Sequence, residues 1–334
     1  MVEEDISAVS IVEEEYNDGS IENSVEEADY RKSHKENTDV ITLQKFYRSM
    51  DSDILSRSLK RLELVSDYKT LAFTSLVCTG KNNIFDVSTL SGCECLMYLN
   101  LSQNKLRSMA SLGTEHNSLQ ILDISNNKLT AFDLKGQKML KNINLNNNNI
   151  LCSIDRFDGD FPSLVKLTAR SCLINTINDL SHLRNLIYLD ISSNNLELLD
   201  LNVFRVLEKL IELNVASNPI AKVTSNGEIN SSIIYLEMSK TKVRNVMELL
   251  PLKCFKKLKY LSLYDSPIAD KERYRNTIVR VLPELYKLDK VIISSEERDP
   301  DNSIFSDSVD VRTEEDQIEE DYNMDSNEEE FDEE

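Results

Sequence analysis

Glycine is scarce in this chain, with 7 in 334 residues. That leaves no GxxxxGK[ST] or GxGxxG loop of the kind that cradles phosphate. Histidine is scarcer, at 3, and His34, His116 and His182 stand beside no matching nucleophile and show no metal-ligand spacing. The 6 cysteines, Cys78, Cys93, Cys95, Cys152, Cys172 and Cys254, form no CxxC pair and have no companion histidines. Neither a zinc site nor a disulfide framework is indicated, and reduced cysteines in a cytosolic core are expected. No apolar run approaches the length of a membrane span. The N-terminus, Met1 to Asp5, is acidic where a signal peptide needs a basic segment followed by an apolar one. These absences argue against an enzyme, against a cofactor, metal or small-molecule substrate, and against a membrane protein.

What is abundant is acid, and it is unevenly placed. Residues 1–36 hold 12 acids and 3 bases, and residues 295–334 hold 19 and 2, so within a net charge of -20 the stretch between them is mildly basic at +6. The two acidic ends contain few large apolar residues, too few to offset the entropy of folding. Disordered tails are therefore expected at 1–38 and 295–334.

Between them a pattern recurs. Leu96, Leu99, Leu101, Asn104 and Leu106 follow the spacing LxxLxLxxNxL. Further copies begin at Leu119, Leu140, Leu164, Leu186, Leu210, Ile233 and Leu258, at intervals of 21 to 25 residues. That is the leucine-rich-repeat period. In each copy two apolar residues alternate with polar ones, which makes a short strand with one face to a core and one to solvent. An asparagine then ends the strand, and its amide can both donate to and accept from the backbone of the turn. Asn104, Asn127, Asn148, Asn194 and Asn218 fill that slot, with Cys172, Thr241 and Ser266 as small substitutes able to donate. No single copy can bury enough to fold alone, so the copies must stack into an α/β solenoid with a parallel sheet on its concave side and short helical or 3₁₀ turns on its convex side.

The pattern places about nine repeats in 71–269, counting a degenerate first copy at Phe73–Cys78. Before them, Leu43, Phe46, Met50, Ile54, Leu55, Leu59 and Leu62 recur at helical steps, which predicts a helical N-terminal cap over 39–70. After Ser266 the period stops. Asp270 heads a helical stretch in which Tyr274, Ile278, Val281 and Leu282 share a face, Pro283 ends it, and a C-terminal cap over 270–294 is expected to shield the last strand edge.

Function is then sought on the outward strand positions. One column reads Tyr98, Ile121, Asn142, Lys166, Tyr188, Glu212, Tyr235, Tyr260, and the next reads Asn100, Asp123, Asn144, Thr168, Asp190, Asn214, Glu237, Ser262. At about 4.8 Å per strand these columns make a strip roughly 35 to 40 Å long. Tyrosines gather toward its C-terminal half, where Tyr264 joins them. Aromatics with scattered acids suit a protein partner, and the acids would repel nucleic-acid phosphates. Tyr98, Asp123, Tyr188, Asp190, Tyr235, Glu237, Tyr260 and Tyr264 are the candidate contact residues.

The cap carries a resemblance. Ser266-Pro-Ile268, Tyr274-Arg275, Leu282-Pro283, Leu285 and Leu288-Asp289 resemble the C-terminal cap of the intracellular class with short leucine-rich repeats. That class includes a regulator of protein phosphatase 1, the spliceosomal A-prime protein, acidic nuclear phosphoproteins and axonemal dynein light chain 1. With Glu272, Lys290, Glu296-Glu297-Arg298 and the acidic segment around Asp29-Tyr30-Arg31-Lys32, residues 27 to 299 are similar to the leucine-rich repeat-containing protein 23 family. The resemblance implies a non-catalytic radial spoke component of motile cilia, located in the cytoskeleton and bound to other axonemal subunits. A regulatory subunit of protein phosphatase 1 and an acidic nuclear phosphoprotein acting as a histone chaperone are the alternatives.

Overall fold

The computed structural model describes residues 52–298, apart from 65–70, 81–83, 85–86, 91–92, 113–117, 135–136, 151, 154–160 and 230. Three-residue strands, one per repeat, build most of a 12-stranded sheet. They are Tyr98–Asn100, Ile121–Asp123, Asn142–Asn144, Lys166–Thr168, Tyr188–Asp190, Glu212–Asn214, Tyr235–Glu237 and Tyr260–Ser262. Each pairs in parallel with the next at one register. Leu76, Leu99, Leu122, Ile143, Leu167, Leu189, Leu213, Leu236, Leu261 and Leu288 thus form a single column. Every member is 3% exposed or less. Burying each such side chain contributes roughly 1.5 to 3 kcal/mol, and a register slip of one residue would turn the whole column to solvent.

The strands are short because each ends in a turn that is hydrogen-bonded from two sides. The residue before each ladder position, from Gln103 through Asn126, Asn147, Ser171, Ser193, Ser217 and Lys240 to Asp265, has φ between 53° and 58°. This left-handed kink turns the chain inward and aims the next side chain at the backbone. Asn194 shows the result. Its Oδ1 accepts from the N–H of Cys172 at 2.8 Å and of Ile174 at 3.1 Å, while its Nδ2 donates to the carbonyls of Ala169 and Ile191, each at 2.8 Å. The same amide bridges to the preceding turn are made by Asn104, Asn127, Asn148 and Asn218. At the substituted positions Cys172 Sγ donates to the Leu145 carbonyl at 3.2 Å, and Ser266 Oγ accepts from the Thr241 N–H at 3.0 Å. The opposite side of the molecule is made of 3₁₀ turns such as Ser181–Leu183, Leu201–Val206 and Val246–Cys254. Two short parallel ladders accompany them, Leu198–Asp200 with Lys222–Thr224 and Cys152–Ser153 with Ile174–Thr176.

At the N-terminal end the structure departs from the helical expectation. A helix covers Ser52–Ser58, but Leu59–Leu64 is a strand, antiparallel to Leu71–Val77. Residues 39–51 and 65–70 lie outside the described residues. Helical spacing continued through Leu59 and Leu62, but the first strand of the ladder offers an open edge of N–H and C=O groups. Satisfying them outweighs local preference.

The other end is closed in the same way. Lys287–Leu288 adds in parallel to Tyr260–Ser262, and Val291–Ile292 turns back antiparallel. The cap helix spans Tyr274–Val281 and begins after the turn Pro267–Asp270, so Asp270 ends a 3₁₀ turn instead of heading the helix. Ile278, Val279, Leu282, Leu285 and Leu288 are buried, whereas Pro283 is exposed. The Tyr274 hydroxyl donates to Asp289 at 2.7 Å, and the other Asp289 oxygen accepts from the Leu263 N–H at 2.6 Å. Ser295–Arg298, assigned from sequence to an acidic tail, is a helical turn of the cap. Arg275 pairs with Glu297 and donates to the Ile292 carbonyl at 2.9 Å, and Arg298 donates to the carbonyls of Pro283 and Leu285. By composition these residues belong with the tail's charge, but their partners lie in the cap. The acidic segments 1–51 and 299–334 lie outside the described residues.

Candidate functional site

Tyr98, Tyr188, Tyr235 and Tyr260 each open a repeat strand, one residue before its buried leucine. The alternation of the strand therefore points all four away from the core, and all are half-buried. Only two of them meet. Tyr235 and Tyr260 are register partners, and their rings stack with centroids 4.2 Å apart and planes 11° apart. Tyr286 completes the group with its ring edge-on to Tyr260 at 5.8 Å and 72°. Sequence reasoning missed Tyr286 because it lies beyond the last full copy of the pattern. The outward slot opposite Tyr260 is held by Lys287, so the column count passes over Tyr286 one residue earlier. Tyr286 is 46% exposed and forms the rim of the group.

The remaining tyrosines have separate surroundings. Lys166 Nζ lies 4.7 Å from the Tyr188 ring centroid, and Lys290 Nζ lies 5.1 Å from that of Tyr264. These are cation–π distances. Tyr98 accepts from Asn100 at 3.2 Å and stands with Asp123 at the N-terminal end of the ladder, remote from the stacked group. Burial raises the pKa of the Tyr188 hydroxyl, and the negative charges of Asp190 and Glu212 raise it further. Burial likewise raises that of Tyr235, with the hydrogen bond to the Tyr260 hydroxyl adding to it. Both are therefore neutral groups able to donate.

The second outward column has a structural role that the spacing concealed. The side-chain oxygens of Asn100, Asp123, Asn144, Asp190, Asn214 and Glu237 each accept from the backbone N–H two residues on, at 2.9 to 3.1 Å. These turns cap the C-terminal ends of six of the eight repeat strands. Asp190 is the clearest correction. It is 3% exposed, its Oδ1 also accepts from Ser192 Oγ at 2.6 Å, and Arg170 Nε lies 3.9 Å from its Oδ2. On the outward face this carboxylate is enclosed by its neighbours, Tyr188 and Asn214 among them, and offers little contact surface. Asp123 and Glu237 are half-buried. Among the described residues, no three His, Cys, Asp or Glu side chains gather as metal ligands.

A stack of in-register strands with an amide ladder is the geometry of a leucine-rich repeat, and comparison with known families agrees. The family described as Leucine-rich repeat matches residues 174–312, and a second Leucine Rich Repeat family matches 118–136. The chain is built of leucine-rich repeats. It is similar to human Leucine-rich repeat-containing protein 23, at 26% identity over 246 residues, covering 74% of this chain and 69% of that protein. It is also similar to the U2 small nuclear ribonucleoprotein A' of Arabidopsis thaliana, at 34% identity over 119 residues, which are 35% of this chain and 47% of the relative. A probable inactive serine/threonine-protein kinase of Dictyostelium discoideum shares 32% identity over 62% of this leucine-rich-repeat protein, but the match spans only 9% of its own length. Among solved structures, a TLR13–ssRNA13 complex aligns with a TM-score of 0.50 and 25% identity over 57% of this chain and 28% of that one. The chain thus spans under half the length of the plant and slime-mould relatives.

Proposed function

We propose that this leucine-rich-repeat protein is a non-enzymatic scaffold that holds another protein on the exposed face of its strand ladder. The observation that carries this reading is the Tyr235–Tyr260–Tyr286 group, three packed rings on a face that the described chain leaves open. Large rings with polar tips supply contact area at low entropic cost, which is why such groups anchor protein interfaces. Asp123, Glu212 and Glu237 lie along the same face, and their charge favours a polypeptide over a nucleic acid.

The finer reading is a radial spoke component of motile cilia. It is supported by the similarity to Leucine-rich repeat-containing protein 23, which covers about three quarters of the chain, 74%, and by the cap residues that carry the resemblance. The similarity to U2 small nuclear ribonucleoprotein A' favours a second reading, a scaffold in a nuclear assembly.

One experiment tests both levels. The tagged full chain is expressed in a ciliated cell, and detergent-extracted axonemes and nuclei are assayed for it, together with the Tyr235→Ala/Tyr260→Ala variant. Retention in axonemes that falls about tenfold or more in the variant, at an unchanged melting temperature, supports the scaffold and its location. Retention in nuclei selects the second reading. Undiminished partner capture by the stably folded variant removes the tyrosine face from the proposal.

A further inference from the structure

Against the last repeat lies an open cleft of about 350 Å³, between Leu252–Leu258 and Arg280–Leu285. Its floor is apolar: Leu252, Phe255, Leu258, Leu282 and Leu285 line it. Its rim is basic, with Lys253, Lys256 and Arg280 exposed. The acid on the rim, Glu284, is engaged by Lys259 at 2.9 Å, and Lys256 Nζ lies 3.3 Å from the exposed Glu228.

Arg298 donates to the carbonyls of Pro283 and Leu285, two residues of the cleft wall, so the described chain ends at the cleft's edge. The next stretch of the chain is complementary to the cleft. Ile304 and Phe305 are adjacent apolar residues, flanked by Asp301, Asp307 and Asp310. Phe305 is the seventh residue after Arg298, a reach of up to about 25 Å. The repeat-family match also runs through this stretch, to residue 312.

We propose that the cleft is the docking site of the chain's own segment 301–310. Ile304 and Phe305 sit on the apolar floor, and the flanking aspartates face Lys253, Lys256 and Arg280. The segment is thereby held off the acidic face of the ladder, leaving the tyrosine group open to a partner.

The test uses the full chain with a photo-crosslinking benzoylphenylalanine at position 305, as an equimolar mixture of light and heavy isotope-labelled protein at low micromolar concentration. Illumination is expected to join position 305 to peptides carrying 252–258 or 280–285, with light–light and heavy–heavy products only. The charge-reversed variant K253E/K256E/R280E changes exposed side chains and is checked for an unchanged melting temperature. It is expected to lose the cross-link about tenfold, the combined effect of three weak exposed ion pairs. Moving the probe to Phe331 is expected to abolish capture at the cleft. Cross-links scattered over the ladder, mixed light–heavy products that identify a second copy as occupant, or undiminished capture by the charge-reversed variant would each overturn the proposal.

Discussion

The asparagine ladder shows how one side-chain type sets the spacing of a whole fold. Asn194 is 4% exposed and holds two N–H groups of the preceding turn. Replacing it with alanine leaves those donors and the carbonyls of Ala169 and Ile191 unpaired in the core, so Asn194→Ala is expected to cost about 3 kcal/mol by urea denaturation. The reverse experiment is available at Cys172. A thiol can donate, as it does to the Leu145 carbonyl, but it has no carbonyl oxygen to accept the Ile150 N–H in the way that Asn148 accepts Leu129. Cys172→Asn is therefore expected to stabilise the protein by about 1 kcal/mol. A loss of stability would show that this turn has relaxed around the smaller residue. Burial pushes the Cys172 thiol up to about 11, so the native residue is also expected to resist alkylation at pH 8. The ladder was legible in the sequence because its spacing is fixed. The burial of Asp190 was not, because Ser192 and Arg170, which receive its charge, sit at positions that carry no pattern.

At the scale of elements, the ends of the sheet carry most of what the sequence concealed. Repeat strands announce themselves through alternation, but Leu59–Leu64 and Val291–Ile292 are strands only because an open edge lies beside them. Leu62, Leu64, Val291 and Ile292 remain exposed, with Leu64 at 56% and Val291 at 57%, so no hydrophobic pattern marks them. The C-terminal closure is held by Arg275, whose planar guanidinium meets Glu297 and the carbonyls of Leu288 and Ile292 together. That hydrogen-bonded pairing holds the pKa of the Glu297 carboxyl below its usual value. Because the folded value lies below the unfolded one, its contribution is complete above the ordinary pH of glutamate ionisation and is lost as pH falls through the folded value. Burial moves Tyr274 the other way, its bond to Asp289 adding to the shift. Its contribution is complete below about pH 10 and is lost as the unfolded hydroxyl ionises. Glu297→Gln is thus expected to destabilise by about 1 to 2 kcal/mol at pH 7 and by much less at pH 3. Tyr274→Phe should flatten the alkaline limb alone. Denaturation midpoints measured from pH 3 to 11 separate the two, and identical profiles for both variants would show that neither group is linked to folding of the cap.

The described residues form a ladder in which each strand pairs with the strands beside it. Stability in such an arrangement is a sum of repeat terms and neighbour terms, so a defect is felt according to its place along the ladder. Leu189 lies in a middle strand with partners on both sides, Leu167 and Leu213. Leu288 lies in a two-residue strand near the end, beside Leu261. Both are fully buried at 0% exposure, and truncating either to alanine removes the same atoms at a cost of about 3 to 4 kcal/mol. The local cost is alike, but the consequence is not. Leu189→Ala weakens two interfaces at once and divides the ladder, so hydrogen exchange is expected to quicken across the strands from Asn142 to Glu237. Leu288→Ala releases the cap, and faster exchange is expected from about residue 260 to 298, with the central strands near wild-type protection. In the unaltered protein the same measurement should find amides of Leu122 to Leu213 slower than those of the terminal hairpins. Equal acceleration of every amide in both variants would mean that the ladder opens as one unit, and that its two closing hairpins bind the structure together more tightly than nearest-neighbour stacking allows.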